Sequence, residues 1–344
     1  MEGARRVPGW TPVDFFILRH GQTTWNARGI IQGQADAPLD DVGRAQARAL
    51  AEFLAGDGDA KSEFPRPGLP VVTSDLSRAV DTARILADAL VQARARDDAR
   101  SRRVPENDEA EPERLHRTPK LRERHVGRLQ GLPRADAKAS DPVAWRAFRS
   151  RDDSRRVPGE GGESYDQLWD RVVGFVEARA AAAAAAAAAV PGADEERNPL
   201  DAAAAGNGRD RSHTPPIALV THGGVARVLL DRCARDEAAL EAFGVGGASR
   251  RAARGAVQNA AKAKIKTAET ETETETAAAR VVVRRPGTVP NCSVGVIRAH
   301  VPPVGRRGVE DVEEQMWEAV VWGEDAFLAS AGGSAEGAAG DDYA

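Results

Sequence analysis

Arg19 and His20 stand together directly after the apolar run Val13, Phe15, Phe16, Ile17, Leu18, and Gly21 follows them. A short apolar, partly aromatic run reads as a buried strand, and a glycine after it lets the backbone turn sharply. Open α/β sheets take their ligands at the carboxyl edges of their strands, so this is how a phosphoryl-accepting imidazole would be presented. Asn26 lies on the same loop, placed to donate an amide hydrogen bond to a shared anion. Arg78 opens a helical stretch after Val71-Val72-Thr73-Ser74, where the helix N-terminus itself attracts anions. Val220-Thr221-His222-Gly223-Gly224 repeats the strand-to-loop turn with a second histidine at its tip. Each piece alone has an ordinary reading: a common tripeptide, a solvated helix arginine, a satisfied core histidine. Two imidazoles and two guanidiniums at strand ends are harder to explain as packing.

The elements that must position these groups alternate along the chain. Gly43 to Phe53, with Ala47, Leu50 and Ala51 followed by Leu54, has helical spacing. Val71 to Ser74 reads as a strand, and Asp75 to Leu90 as a helix with Ala79, Ala83, Leu86 and Leu90 on one face, capped by Ser74 or Asp75. Residues 163–189 form a long helical pattern ending in the alanine run 180–189. Ile217 to Thr221, Ser293 to Ile297 and Trp317 to Trp322 complete a sheet. The alternation predicts an α/β fold with a mostly parallel central sheet covered on both faces, a three-layer α/β/α sandwich. Residues 13–324 read as a single domain of this kind. It is interrupted by low-complexity insertions at 92–116, 191–213 and 233–287, expected to be disordered or weakly helical, and followed by a flexible tail at 325–344. Basic Arg250 to Lys266 and the acidic threonine-glutamate repeat Thr267 to Thr276 lie within the third insertion.

A net charge of −4, from 48 basic and 52 acidic residues, gives no global field that would favour nucleic acid or an anionic membrane, so any anion affinity must be local. No apolar stretch approaches the roughly 20 residues that span a bilayer, and the residues before the first strand are too few for an ordinary signal peptide. Two cysteines, Cys233 and Cys292, make no disulfide framework and suit a reducing compartment, so a cytoplasmic protein is expected. No Cys or His spacing suggests a zinc site. Cys292, Trp145, Trp169, Trp317 and Trp322 read as packing residues. A homodimer is compatible with the pattern and not specified by it.

The Arg-His-Gly-x-Thr-x-Trp-Asn block, Ser-Asp-Leu-x-Arg-Ala, Leu121 to Gly127, Gly161-Gly162-Glu163-Ser164 and the Thr-His-Gly-Gly block together resemble the histidine phosphatase superfamily, which includes cofactor-dependent phosphoglycerate mutases. Within it the resemblance is nearest to the metal-independent phosphoserine phosphatase-like branch, through Gly33-Gln34, Glu123 to Gly131 and Asn291 to Val294. The resemblance implies a phosphatase acting on a small-molecule phosphate monoester, with no metal and no cofactor. His20, neutral at the attacking nitrogen, would form a phosphohistidine that water then hydrolyses. Arg19, Arg78, Asn26 and His222 would cradle the phosphoryl oxygens, His222 as a protonated donor, because charge in this transition state spreads over three equatorial oxygens. Glu123 falls at the family's general acid position. Gln32 and His125 are further candidates for substrate contact, Thr23 for a hydroxyl and Gly223 for a backbone amide. The segment 132–158 would form a cap, with Arg146, Arg149, Arg151, Arg155 and Arg156 on or beside it. Its shortness favours hydrolysis over mutase-type phosphoryl transfer, and a non-catalytic scaffold retaining the pocket is the third reading.

Overall fold

The computed structural model describes residues 7, 9–55, 69–100, 115–150, 152–189, 214–242, 289, 291–303 and 315–324. Most of the expected insertions, the threonine-glutamate repeat and the tail lie outside these residues.

Strand β1 (Thr11–Arg19) is apolar on both faces because both are covered. Val13, Phe15 and Ile17 join one hydrophobic cluster, while Phe16 and Leu18 join the cluster on the opposite face. A strand buried on two sides has no polar alternation, which is the signature of a central parallel strand. After it come a one-turn helix α1 (Thr24–Ala27), α2 (Asp41–Ala55), β2 (Val71–Ser74), α3 (Ser77–Arg100) and β3 (Leu115–Thr118). Two short helices, α4 (Arg134–Ser140) and α5 (Pro142–Phe148), precede the long α6 (Tyr165–Ala188), and β4 (Ile217–Thr221), α7 (Gly223–Ala242), β5 (Val294–Val301) and β6 (Met316–Glu324) follow. The six strands form one sheet in the order β3-β2-β4-β1-β5-β6. The pairings β3-β2, β2-β4 and β4-β1 are parallel, and β5 runs antiparallel to both β1 and β6. α2 and α3 pack on the Phe16–Leu18 face and α6 and α7 on the other, giving the expected three layers with a mostly parallel sheet.

The register aligns the parallel strands at one rim. Arg19 pairs with Thr221, so the residues that follow, His20 and His222, leave adjacent strands at the same level. His20 N–H still donates to the Thr221 carbonyl at 2.9 Å, extending the ladder by one residue. A small third cluster of Ile31, Val126, Leu129, Ala137, Ala144, Phe148 and Val157 packs α4 and α5 against the loops beside this rim, so the cap segment has a core of its own.

Several expectations shift. α3 starts at Ser77 and is not capped by Ser74 or Asp75: the Ser77 N–H and hydroxyl both donate to Asp36 Oδ1 at 2.8 Å, a carboxylate from the loop after β1. That helix runs to Arg100 with Ala93 buried, and α7 runs to Ala242 with Cys233 buried, so the stretches expected as insertions from 92 and from 233 begin as packed helix. β3 lay unread, partly within the expected 92–116 insertion. It is an edge strand with His116 and Arg117 exposed, and so has no apolar alternation to notice. Gly21 has no left-handed backbone. It is needed for close approach, since a Cβ there would stand 2.4 Å from the Gly43 carbonyl oxygen at the start of α2. Among the described residues no helix is long and apolar enough to cross a membrane.

Candidate active site

His20 and His222 meet at the rim with ring centroids 5.1 Å apart and planes inclined by 60°. Both are fully buried, as are Arg19, Arg78, Glu123 and Asn26 to within 4% exposure. His20 Nδ1 lies 2.7 Å from the Gly21 carbonyl oxygen. A carbonyl only accepts, so Nδ1 carries the proton and the neutral ring holds its lone pair on Nε2. His222 stands differently. Its Nε2 is 2.8 Å from the Ser74 hydroxyl at the end of β2, and that hydroxyl oxygen accepts the Leu76 N–H. Burial pushes the His222 pKa well below the usual histidine value, and the charges of Arg78, His20, Arg19 and Arg171 push it the same way. In the unliganded site a buried ring among cations disfavours a further positive charge, whereas the expected protonated His222 is a donor to bound phosphoryl oxygens.

The cations are fixed by backbone carbonyls. Arg19 donates to Val289 O, and its guanidinium packs over Gly223, where an added Cβ would contact Arg19 Cζ at 3.6 Å. Arg78 Nη2 donates to Gly33 O at 2.7 Å and Nη1 to Ala35 O at 2.9 Å, tying the start of α3 to the loop after β1. On that loop Thr23 caps α1. It accepts the Asn26 N–H at 3.0 Å, and its own hydroxyl faces Asn26 Oδ1 at 2.9 Å and Gln32 Oε1 at 3.0 Å. Both carboxamide oxygens are thereby turned onto Thr23, leaving Asn26 Nδ2 and Gln32 Nε2 buried with no acceptor among the described residues. Buried donors without partners suit an anion. Thr23 sits in the structure as the residue that aims these amides.

Glu123 enters from residues 122–126, with Oε1 accepting Arg124 N–H at 2.7 Å and Oε2 accepting Gly224 N–H at 2.9 Å from the first turn of α7. The charged neighbours look elsewhere: Arg122 forms a two-point pair with Asp75, and the Arg124 guanidinium donates to Glu163 O and Arg155 O. His125 lies apart, half-buried in an open depression of about 430 Å³ with Gly127, Arg128, Gln130, Glu160 and Gly161, and its Nδ1 accepts the Gly127 N–H. Burial lowers its pKa. On the cap, Arg156 Nε donates to Gly162 O at 2.8 Å; Arg151 falls outside the described residues.

Three residues have a place in the site that the sequence did not give them, although Cys292 read as a packing residue and Asn291 lay in a block carrying the resemblance. Ser74 appeared in the sequence only as a cap. Asn291 donates to the His20 carbonyl at 3.2 Å, and Cys292 N–H donates to Arg19 O at 3.1 Å. Cys292 holds φ at 56°, a left-handed conformation that costs a side-chain-bearing residue about 1–2 kcal/mol. The fully buried thiol and the hydrogen bonds to the Arg19 and His20 carbonyls offset it. Burial pushes the pKa of both cysteines far up, so neither is a nucleophile.

Comparison with known proteins agrees with this arrangement. A sequence model of the histidine phosphatase superfamily (branch 1) matches residues 15–102 and 94–190. The chain belongs to the histidine phosphatase superfamily. It is 40% identical over 164 residues to the metal-independent phosphoserine phosphatase of Arabidopsis thaliana, covering 48% of this chain and 57% of that protein. It is also 31% identical over 219 residues to phosphoglycerate mutase-like protein 4 of Arabidopsis thaliana, covering 64% of this chain and 70% of that protein. Among solved structures it resembles mycobacterial hydrolase 1, with a TM-score of 0.50 and 26% identity over 91% of this chain and 100% of that one. In this superfamily member the family blocks come from five separate stretches, and the parallel strand ends of β1, β2 and β4 bring their histidines and the serine to one rim.

Proposed function

We propose that this protein hydrolyses a small phosphate monoester, of phosphoserine type, through a phosphohistidine on His20. The observation that carries the reading is the pair of buried imidazoles, ring centroids 5.1 Å apart, among Arg19, Arg78 and two buried amide nitrogens with no acceptor among the described residues. His20 Nε2 attacks phosphorus, forming a P–N bond as the ester P–O bond breaks. The leaving oxygen takes its proton from Glu123. In the second step Glu123 takes a proton from water as that water attacks phosphorus and releases His20. Proton transfer of this kind contributes about 10² to 10⁴ in rate. Arg19, Arg78, Asn26, Gln32 and His222 neutralise or hydrogen-bond the three equatorial oxygens, supplying the charge that a metal ion supplies in many other phosphatases. An incoming phosphate brings negative charge next to His222, which raises its proton affinity and lets it bind as a donor. The phosphatase name of the 40% identical relative supports hydrolysis, and so does the cap, which consists of two seven-residue helices and is too small to build a long-lived shelter from water.

The test is phosphate release from a panel of monoesters, with and without chelator, together with labelling of the enzyme by ³²P-labelled substrate. Expected are chelator-resistant release and acid-labile label on wild-type protein that His20→Ala lacks. Chelator-sensitive turnover, or isomerisation of 3-phosphoglycerate faster than phosphate release, overturns the reading.

A further inference from the structure

Residues 122–126, which carry Glu123, are neither helix nor strand, so their backbone carbonyls need partners from side chains. One side chain supplies two of them and also holds two carbonyls shortly before the stretch. Arg171, two turns into α6, donates from Nη1 to Lys120 O at 2.9 Å and Arg122 O at 2.8 Å, with Pro119 O at 3.5 Å, and from Nη2 to Glu123 O at 3.3 Å. The same guanidinium binds Glu163 at two points, Nε to Oε1 at 3.0 Å and Nη2 to Oε2 at 2.8 Å. Glu163 in turn accepts the His125 N–H at 2.8 Å, and its own N–H donates to His125 O at 2.8 Å. The far side is held by Gln34, whose Nε2 donates to Glu123 O at 3.1 Å. Glu163 and Arg171 are each about one-sixth exposed, and the reciprocal Ser164–Gln167 cap fixes the helix end between them.

We propose that the Glu163–Arg171 ion pair is a positioning device for the proton donor: it holds the backbone from Pro119 to His125, and with it the point from which Glu123 meets the leaving oxygen. The inference rests on the reading of Glu123 as that donor. A planar guanidinium can serve a carboxylate and several carbonyls at once, which an ammonium cannot, so Arg171→Lys keeps the charge and loses the device.

The leaving group separates positioning from mere structural support. An aryl phosphate such as p-nitrophenyl phosphate expels its leaving group without a proton, whereas phosphoserine, an alkyl ester, needs one. Arg171→Lys is expected to lower kcat on phosphoserine by about 10- to 100-fold, a fraction of what general acid catalysis contributes, with KM changed by less than about twofold and p-nitrophenyl phosphate turnover nearly retained. The double variant Glu123→Gln/Arg171→Lys should be no slower on phosphoserine than Glu123→Gln alone, since two changes acting through one group are not additive. Equal losses on both substrates, or additive losses in the double variant, overturn the device while a selective defect of Glu123→Gln leaves the acid in place. A Glu123→Gln enzyme with no such selectivity overturns the acid and its positioning device together. Should Arg171→Lys fail to fold, Glu163→Gln, which loosens the anchor of the guanidinium and the carboxylate's hold on the His125 N–H, is read by the same two outcomes.

Discussion

The two histidine turns are nearly the same in sequence and quite different in physics. Both follow an apolar strand, both precede glycine, and their strands are neighbours. After β1 the chain enters an irregular loop, and the ring of His20 is fixed by a carbonyl that can only accept, which sets its tautomer. After β4 the chain enters α7 at once, and the ring of His222 is fixed by a serine hydroxyl that can donate or accept, among charges that disfavour protonation. The fold thus gives one imidazole a set lone pair and the other a variable proton. In the proposed mechanism identical side chains acquire the two halves of phosphoryl transfer, attack and charge stabilisation, from the partners that their strand ends provide.

The largest effect that would break this contrast is at the nucleophile. His20→Ala should reduce turnover by on the order of 10⁴-fold or more, because it removes the ring whose lone pair the Gly21 carbonyl sets on Nε2; residual activity within tenfold of wild type would show that the roles are assigned the wrong way round. His222→Gln removes a donor to the developing charge and should lower kcat by about 10²- to 10³-fold, while the phosphoenzyme still forms slowly in single-turnover labelling. Ser74→Ala frees the ring of His222 without removing it, and a loss of about 3- to 10-fold in kcat, with KM little changed, is expected from one neutral hydrogen bond. The smallest effect sharpens the contrast most. With its folded pKa below the ordinary value of 6.5, His222 leaves the unfolded chain binding more protons than the folded one as pH falls through that value. Its share of stability is therefore complete above about pH 6.5 and lost progressively in acid. Thermal unfolding of phosphate-free protein between pH 5 and 8 should show this slope, His222→Gln should flatten it, and inorganic phosphate binding near neutral pH should take up protons in calorimetry across buffers.

Much of this was legible in the sequence because a strand buried on both faces leaves an unbroken apolar run, and a residue at the end of such a run is placed almost without further information. His20, Arg19 and His222 were found that way, and Arg78 by its place at a helix start. Ser74 was not, because its partner lies 148 residues away and the residues between give no sign of it. Arg171 was invisible for a different reason: on an amphipathic helix an arginine looks solvated, and only the path of the chain from Pro119 to Glu123, together with Glu163, gives it six oxygen partners. β3 was missed because an edge strand with exposed His116 and Arg117 carries no periodic signal. The proton state of His222 depends on guanidiniums from β1 and α3 that no local pattern reveals.

The hold on Arg19 and His20 by Val289, Asn291 and Cys292 has a consequence for biosynthesis. The contacts Arg19–Val289 and His20–Asn291 span 270 and 271 positions, so they close among the last of any in the molecule. A ribosome-bound chain that has emerged only as far as α7 already has both imidazoles, both guanidiniums and Glu123, yet the contacts from Val289, Asn291 and Cys292 to the turn after β1 are still missing. Turnover would thus report completion of translation through β5, and a nonsense codon just before residue 289 should yield a polypeptide that contains all the chemistry and performs little of it.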